Sequence, residues 1–370
     1  MSTFDAKVVY IYSDTPAYVR AKKTLQVLQP MFREVHFIGC HRKHQWDTNY
    51  PEGITYHIED RVMGTGASTL TDIFGFFRYI KKTLDEIKPD IVIVVNEEYV
   101  LPFTFRIIPK HGKLVLDLYD SIGMRILGPL KKFNFLWRFL SSVAMKTVDA
   151  VVEVCQERLD WHKVLPKHST VVYNSPNYIE NLSPMTDLPC DNFIYAGGTF
   201  DDNIHGIEPL FEAINRVKDI NVIVTGKPQG DFVKNVFLKH PRVHFLGVVP
   251  YEDVPRISAG SLAVFAHYNP VRLNYVYGAP NKLYEAMMVG RPVLINKENK
   301  ASHFALEKNF GLVSPYGNVE ALAKDIRSLI DNNANIRPDM ETIRKEFKRN
   351  YSWETMAHKQ WKSLISEMGF

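Results

Sequence analysis

The segment of residues 278–295, GAPNKLYEAMMVGRPVLI, carries the residue types best suited to binding a phosphorylated ligand. A glycine and a proline fit a tight turn into a helix, Asn281 is a favourable helix cap, and Gly290 is a helix stop before a buried strand. Lys282 and Glu285 are three residues apart and therefore project from one side of the first turns. Free amides and a lysine at the positive end of a helix can hold a diphosphate, and a carboxylate can accept two ribose hydroxyls. The segment predicts a site for a nucleoside diphosphate and for a sugar attached to it. An ordinary solvated Lys–Glu pair is the alternative, and the segment alone does not decide between them.

Length and composition limit the class of protein. A chain of 370 residues is long enough for two domains, and 45% hydrophobic with 23% charged residues is typical of a soluble globular protein. The N-terminus shows no charged region followed by an apolar stretch and a cleavage site, and no apolar run approaches the roughly 20 residues that span a bilayer. We therefore expect neither a secretory leader nor a membrane span.

Cysteine usage and net charge indicate the compartment and the partners. The three cysteines are far apart and odd in number, which favours a reducing, cytoplasmic setting without disulfides or a zinc site. A net charge of +4 is too small to predict a nucleic-acid partner. It is compatible with anionic substrates or with an anionic membrane surface.

Short apolar strands alternate with amphipathic helices in two successive series along the chain. The first series ends near residue 174, the second begins after residue 192, and the proline-containing segment between them is predicted to be an interdomain linker. Such alternation is typical of a parallel sheet covered on both faces. The sequence therefore predicts an α/β protein with two Rossmann-like, doubly wound domains that face each other across a cleft. Because ligands bind beyond the carboxyl ends of such strands, both domains could contribute to one site.

Several segments, in the correct order along nearly the whole chain, resemble glycosyltransferase family 4 and its relatives, the GT-B fold glycosyltransferases that use nucleotide sugars. They include SDTPAYVRAKKTLQVL, KLVLDLYDS, FIYAGGTFDDNIHGIEPLFEAI, VHFLGVVPYEDVPRISAGSLAVF, PNKLYEAMMVGRPVL and YSWETMAHKQW. The resemblance implies an acceptor-binding domain over residues 1–174 and a nucleotide-sugar-binding domain over residues 175–350. It also implies that C-terminal helices, residues 351–370, cross back to the first domain. Glu285 matches the ribose ligand of the family, and the backbone at Val248 and Val249 is expected to meet the base.

Three positions depart from the family pattern. Tyr277 lies where the first of two glutamates separated by seven residues is expected, so the donor sugar is not implied. Gly198 lies at the position of the diphosphate arginine, and the matching lysine falls near His205. A missing charge-assisted contact is worth roughly 1.5–3 kcal/mol, so other groups must compensate.

Candidates for compensation are present elsewhere in the second half of the chain. Lys282 is the first choice because it lies in an Asn-Lys-x-x-Glu pattern that some relatives contain. Lys227 follows a strand end, and Arg272 lies in the loop before the predicted binding helix, although either could be an ordinary solvated loop charge. Gly197 and Gly198 could let backbone amides approach phosphates, or could serve close packing of strand against helix.

Acceptor chemistry would require a carboxylate or a histidine in the first domain. Glu97 and Glu98 follow the strand IVIVV, and Asp120 follows the strand KLVLDLY. Asp120 is the preferred candidate, and a helix cap is its alternative role. Asp117 alternates with apolar neighbours and is predicted to be a buried partner of backbone groups or of an arginine. Tyr119 lies where family relatives often have a histidine, so the usual acceptor-side group is missing.

Residues 125–146, RILGPLKKFNFLWRFLSSVAMK, mix aromatic and basic residues at helical spacing. Such a helix could lie in a membrane interface, with aromatic side chains near lipid and cations near head groups. The residues concerned are Phe133, Phe135, Trp137 and Phe139, and Lys131, Lys132 and Arg138. The alternative is that the aromatic side chains pack on the sheet.

These observations predict a cytoplasmic glycosyltransferase, possibly at the inner face of the membrane. It would move a sugar from a nucleotide-diphosphate donor to a saccharide or lipid-linked acceptor in surface polysaccharide synthesis. The resemblance implies retention of the anomeric configuration and no metal or cofactor, the nucleotide sugar being a substrate. Two alternatives stay open: a GT-B fold nucleotide-sugar epimerase or hydrolase, and a catalytically silent partner protein.

Overall fold

The computed structural model describes residues 4–42, 49–63, 68–125, 134–202, 204–331 and 340–370. The chain divides into two compact units. One comprises residues up to Tyr173 together with Met356–Phe370, and the other comprises Asn174–Thr355.

Seven parallel strands form the sheet of the first unit, in the order β3-β2-β1-β4-β5-β6-β7. The strands are β1 (Phe4–Ile11), β2 (Phe32–Arg42), β3 (Thr55–Met63), β4 (Ile91–Val95), β5 (Lys113–Leu118), β6 (Ala150–Glu153) and β7 (His168–Val171). The helices are α1 (Val19–Leu28), α2 (Ser68–Ile87), α3 (Leu101–Thr104), α4 (Ile122–Arg125), α5 (Asn134–Thr147) and α6 (Gln156–Trp161). The strand order reverses between β1 and β4, which makes this the topological switch point of the sheet.

Six parallel strands form the sheet of the second unit, in the order β10-β9-β8-β11-β12-β13. The strands are β8 (Phe193–Phe200), β9 (Asn221–Pro228), β10 (Val243–Phe245), β11 (Ala263–Ala266), β12 (Val293–Asn296) and β13 (Gly311–Ser314). The helices are α7 (Ile207–Arg216), α8 (Asp231–Asn235), α9 (Asp253–Gly260), α10 (Leu273–Tyr277), α11 (Asn281–Val289), α12 (Ser302–Glu307), α13 (Val319–Ile330) and α14 (Met340–Glu346). The last helix of the chain, α15 (Trp353–Glu367), begins in this unit and belongs to the first unit from Met356 onward. Here the switch point lies between β8 and β11.

Both faces of each sheet are covered, as the continuous apolar runs predict. In β4 the neighbours Val92 and Ile93 point to opposite faces, and both are fully buried. The same holds for Ile223 and Val224 in β9. Burial on both faces leaves the carboxyl ends of the strands as the part of each sheet where polar side chains collect.

The structure differs from the sequence predictions at β3 and at Asn281. Strand β3 was not predicted, because its sequence TYHIEDRVM alternates apolar with charged residues at the edge of the sheet. The proline-containing segment between the two series falls within the second unit, where the amide of Met185 donates to the carbonyl of Arg256 at 3.1 Å. Asn281 does not cap α11 but is its first residue, and its Oδ1 accepts from Nδ2 of Asn174 at 2.9 Å.

The aromatic side chains of helix α5 do not all pack on the sheet, although one of the two interpretations of this segment predicted that they would. Phe135 and Phe139 are 73% and 62% exposed, so that alternative is wrong for these two residues. Trp137 is only partly buried. The other three residues of this prediction, Lys131, Lys132 and Phe133, lie outside the described residues.

A buried ion pair joins distant parts of the first unit. Nη2 of Arg20 in α1 lies 3.3 Å from Oδ1 of Asp117 in β5, and its Nη1 donates to the carbonyl of Val172 at 3.0 Å. The hydroxyl of Tyr10 donates to Oδ2 of Asp117 at 2.7 Å. Both charged side chains are almost completely buried. The prediction that Asp117 is a buried partner of an arginine is confirmed.

Because each charge of this pair is buried, removing one partner leaves the other uncompensated. Arg20→Met is expected to lower the free energy of unfolding of the first unit by about 3–5 kcal/mol. The matched control is Arg33→Met, whose ion pair with Asp5 is exposed and should cost less than about 1 kcal/mol. Urea unfolding followed by amide hydrogen exchange in each unit measures both losses. Equal losses for the two variants would contradict the assignment of the Arg20–Asp117 pair as a structural element of this unit.

Candidate functional site

The switch point of the second unit carries two glycines with different surroundings. Gly198, near the end of β8, has φ +118°, and a Cβ added there would meet nothing within 4 Å. Gly226, its neighbour in β9, has φ +112°, and a Cβ there would lie 1.9 Å from the carbonyl oxygen of Gly198. Gly226 is therefore required for close approach of the strands, whereas Gly198 leaves open space above the sheet edge.

Lys282 and Glu285 form a short ion pair on the first turns of α11. Nζ of Lys282 lies 2.6 Å from Oε2 of Glu285, and the two side chains are only 12% and 15% exposed. The ammonium group also lies 5.9 Å from the ring centroid of Tyr195 in β8. The alternative of an ordinary solvated pair is wrong, because both charges are largely removed from water.

The surroundings of Lys282 keep it charged. Burial lowers the pKa of this lysine, but the Glu285 carboxylate and the Tyr195 and Tyr268 hydroxyls outweigh that effect, so its pKa is raised above the ordinary value. Tyr195 is in turn fixed by a hydrogen bond between its hydroxyl and Oγ1 of Thr225, at 2.7 Å. A permanently charged ammonium group in a partly dry site is suited to an anionic ligand.

His205, in the loop between β8 and α7, is held as a neutral donor. Its Nδ1 accepts from the amide of Asp201 at 3.2 Å, which leaves the ring proton on Nε2. The ring centroid lies 5.4 Å from that of Tyr268. Burial lowers the pKa of His205 to about 4, with Lys282 and Arg272 acting in the same sense against Asp201. At neutral pH the ring therefore adds an N–H donor and no charge.

The other predicted donor-side residues lie at more exposed positions. Lys227 is an exposed residue of β9, paired in register with Thr199 of β8. Arg272 precedes α10, and its guanidinium group lies 5.6 Å from the ring centroid of Tyr275. Val249 is partly buried in the loop after β10. Within the described ranges, no hydrogen bond or ion pair joins Lys227 or Val249 to the Lys282–Glu285 pair.

Tyrosines complete this site, and the sequence interpretation did not include them. Tyr195 and Tyr268 stand close to Lys282, while Tyr251 is 67% exposed and lines a narrow cavity together with Glu285. Tyr268 and Tyr251 lie in the segments that follow β11 and β10, and Tyr195 lies within β8, where a tyrosine is easily interpreted as a core residue. For Tyr268 and Tyr251, the position after the carboxyl end of a strand is the signal that could have identified them.

In the first unit, Glu97 is a buried acceptor of several hydrogen bonds. Its carboxylate accepts from the amide of Ile122 at 2.8 Å, from Oγ of Ser121 at 3.2 Å and from Oγ of Ser141. Burial raises the pKa of Glu97, although the hydrogen bonds from Ser141 and Ile122 oppose the change. The carboxylate thus supports the first turn of α4. Glu98, the next residue, is partly buried.

Asp120 is the more accessible carboxylate of the predicted acceptor side. Its side chain is 44% exposed, and Oδ1 lies 3.3 Å from Nη2 of Arg158. The amide of Asp120 donates to Oδ1 of Asn96 at 3.1 Å, so the backbone at this position is fixed by the loop after β4. Tyr119, at the position of the histidine in the relatives, is buried, and its hydroxyl lies 2.7 Å from that of Tyr10.

The described residues contain neither a cluster of metal ligands nor a helix that could span a membrane. No three His, Cys, Asp or Glu side chains among them are grouped as metal ligands would be. No helix in the same ranges combines the length and the apolar character needed to span a bilayer.

Residues 191–332 match the model of a family described as Glycosyl transferases group 1. A search of curated protein sequences gives no significant match. Among solved structures, sucrose-phosphate synthase from Thermosynechococcus elongatus has a TM-score of 0.73 at 15% identity over 98% of both chains. The lipopolysaccharide outer core galactosyltransferase WaaB, in its apo form, has a TM-score of 0.72 at 14% identity, over 98% of this chain and 99% of that one. Anabaena HepE in complex with UDP-glucose has a TM-score of 0.69 at 15% identity, over 98% and 100%.

The chain has the GT-B fold. The fold class predicted from the sequence is confirmed, with two parallel-sheet α/β units of seven and six strands. The family match lies within the second unit, which contains the Lys282–Glu285 pair. At such low identities the structural likeness establishes the fold, and activity has to be argued from the residues of the site.

His267, which follows β11 beside this site, is a buried histidine without a hydrogen-bond partner among the described residues. Its side chain is 2% exposed, and its ring stacks on Phe265 with centroids 5.0 Å apart. Burial lowers the pKa of His267 to about 3, although the Glu298 carboxylate opposes the change. The folded state therefore keeps this ring neutral in mildly acidic solution.

A lowered histidine pKa makes stability depend on pH. The unfolded chain binds a proton at this residue below about pH 6.5 and the folded chain does not, so stability falls as the pH falls. Between about pH 7 and pH 5, His267 is expected to remove about 2 kcal/mol of stability from the second unit. His267→Phe should flatten this dependence by that amount, as measured by urea unfolding at each pH. The control is His303→Phe, which replaces an exposed histidine. If the free energy of unfolding of His267→Phe depended on pH as strongly as that of the wild type, the prediction would be contradicted.

Proposed function

We propose that this GT-B chain is a metal-independent glycosyltransferase. It transfers a sugar from a nucleotide-diphosphate donor to a saccharide or lipid-linked acceptor in surface polysaccharide synthesis, with retention of the anomeric configuration. It acts in the cytoplasm, at the inner face of the membrane. The observation that carries the proposal is the short, largely buried Lys282–Glu285 pair at the switch point of the second unit.

The proposed donor site uses the two charges of this pair separately. Lys282 neutralises the departing diphosphate, Glu285 accepts the ribose hydroxyls, and the open space above Gly198 admits the phosphates. Stabilising the charge that develops on a leaving group is electrostatic catalysis, and it is strongest in a site with little water. The match of residues 191–332 to Glycosyl transferases group 1 supports this assignment.

The acceptor side of the proposal rests on the first unit. Asp120 is its exposed carboxylate and has a guanidinium group to hold it in place. It orients the acceptor hydroxyl or takes its proton, while buried Glu97 keeps the supporting turn in position. The exposed side chains of Phe135 and Phe139, beside Arg138, support contact with an anionic membrane surface.

A nucleoside diphosphate is expected to stabilise the second unit. A ligand at 100 times its dissociation constant stabilises by about 2.7 kcal/mol, which a thermal-shift screen with UDP, GDP, dTDP, ADP and CMP would detect. Glu285→Ala should abolish the shift because the ribose ligand is removed. The exposed Glu307→Ala of the same unit should retain the shift.

The comparison is made between samples of one variant with and without nucleotide, so a change in basal stability does not affect it. If none of the nucleotides shifts the wild type, the donor site is wrong and a catalytically silent protein becomes the better explanation. If Glu285→Ala responds like the wild type, Glu285 is not the ribose ligand.

Asp120→Asn is expected to reduce turnover without changing nucleotide binding. Loss of an acid–base or orienting group lowers turnover by about 100-fold or more. The control is Asp160→Asn, an exposed aspartate of the neighbouring helix α6. Transfer is measured with the donor identified above and an acceptor mixture. Release or rearrangement of the sugar without any acceptor would instead favour the epimerase or hydrolase alternative.

A further inference from the structure

Helices α5 and α6 of the first unit border a cavity of about 440 Å³ that the proposed donor chemistry does not use. Its volume lies in the range of small-molecule sites. Phe139 and Met145 of α5 and Trp161 of α6 give it apolar walls. The cavity is therefore large enough to bury part of a ligand and offers it both apolar and polar contacts.

The mouth of this cavity is unusually apolar for a protein surface. Phe135 and Phe139 both line it and are 73% and 62% exposed, and Leu136 beside them is 41% exposed. Three large apolar side chains in one exposed row of a helix form a patch of the kind that marks an interaction site. Trp161 also lines the cavity, and its ring lies close to Gly123, where an added Cβ would be 3.1 Å from it.

Among the described residues, Arg138 and Lys163 are the permanently charged side chains that line the cavity, and both are cationic. None of its described lining residues is acidic. The guanidinium group of Arg138 lies 5.0 Å from the ring centroid of Trp161. Neither cation forms an ion pair with a carboxylate of the described ranges. Two cations without counter-charges beside an apolar cavity are complementary to a ligand that combines an anionic group with a hydrocarbon part.

The cavity adjoins the residues proposed for the acceptor. Ser141 lines it and donates from Oγ to the carboxylate of Glu97, which also accepts from the amide of Ile122. Helix α6 supplies both Trp161 to the cavity and Arg158 to Asp120. The cavity and the carboxylate proposed to address the acceptor are therefore linked through helix α6.

We propose that this cavity binds a single amphiphile, with its hydrocarbon chain against Phe139, Met145 and Trp161 and its phosphate against Arg138 and Lys163. The proposal rests on the proposed function only in naming this amphiphile as the acceptor, and it selects the lipid-linked acceptor over a free saccharide. Binding in the cavity itself requires no donor.

Calorimetric titration of the full chain tests the cavity with three probes: dodecyl phosphate as monomer, dodecyl maltoside and inorganic phosphate. Dodecyl phosphate is expected to bind at least about tenfold more tightly than the maltoside, because each charge-assisted contact contributes about tenfold or more. Inorganic phosphate alone should show no binding, because it lacks the hydrocarbon chain that supplies the apolar part of the affinity.

Variants assign the binding to the cavity. The double variant Arg138→Ala with Lys163→Ala should weaken dodecyl phosphate at least about tenfold and leave the maltoside unchanged. Phe139→Ser should weaken both amphiphiles, because it removes apolar contact area. Matched controls lie on α2 of the same unit: Lys82→Ala, 77% exposed, and Phe74→Ser, 58% exposed, should change neither titration. Because Phe139 and Phe74 are both exposed, replacing either one should not unfold the protein. The melting temperature of each variant checks that it is folded.

Three outcomes would overturn the proposal. Equal affinity for dodecyl phosphate and dodecyl maltoside would mean that Arg138 and Lys163 do not contact the ligand. Unchanged binding in the double variant would place the ligand elsewhere. Binding to vesicles of an anionic phospholipid without any binding of monomeric dodecyl phosphate would identify a membrane surface contact instead of a cavity site. Nucleotide thermal shifts, recorded on the same samples, report separately whether the proposed donor site fails.

Discussion

Burial of charge at the carboxyl edge of a parallel sheet is the constraint on which the rest of this structure depends. The strands are buried on both faces, so polar side chains collect where the strands end. A charge placed there is only partly hydrated and has to be paired or neutralised. Arg20–Asp117 and Lys282–Glu285 satisfy this requirement by pairing, and His205 and His267 satisfy it by remaining neutral.

The two ion pairs obey the same rule with different consequences. Arg20–Asp117 is 4% and 0% exposed, Arg20 also donates to the backbone carbonyl of Val172, and Asp117 also accepts from Tyr10, so both charges are held inside the fold. Lys282–Glu285 is 12% and 15% exposed and lies three residues apart on one helix. An anion could approach this pair from the open side without breaking a tertiary contact. The residual exposure therefore separates a pair that holds the fold together from one that is suited to exchange partners with a ligand.

Sequence alone predicted the fold to the extent that each strand was a continuous apolar run. The strands IVIVV and NVIVTG and the helix after Pro280 were identified for this reason, whereas β3 was missed because an edge strand does not need such a run. The pair Lys282–Glu285 was found from helical spacing, which is a local property. Its burial could not be found in this way, because it depends on Tyr195, which is 87 residues away in the chain and stands on another strand.

The difference between local sequence pattern and contacts with distant residues also explains how well the acceptor-side residues could be predicted. The sequence placed Glu97 and Asp120 at strand ends after apolar runs and preferred Asp120, but it could not show what surrounds either carboxylate. The structure separates them by their neighbours: Glu97 is buried among hydroxyl and amide donors, whereas Asp120 lies beside the guanidinium group of Arg158 and is 44% exposed. A carboxylate whose acceptor positions are occupied stabilises a turn, while one that keeps an open side can bind a hydroxyl group. Local pattern thus selects the position along the chain, and three-dimensional neighbours select the chemistry at that position.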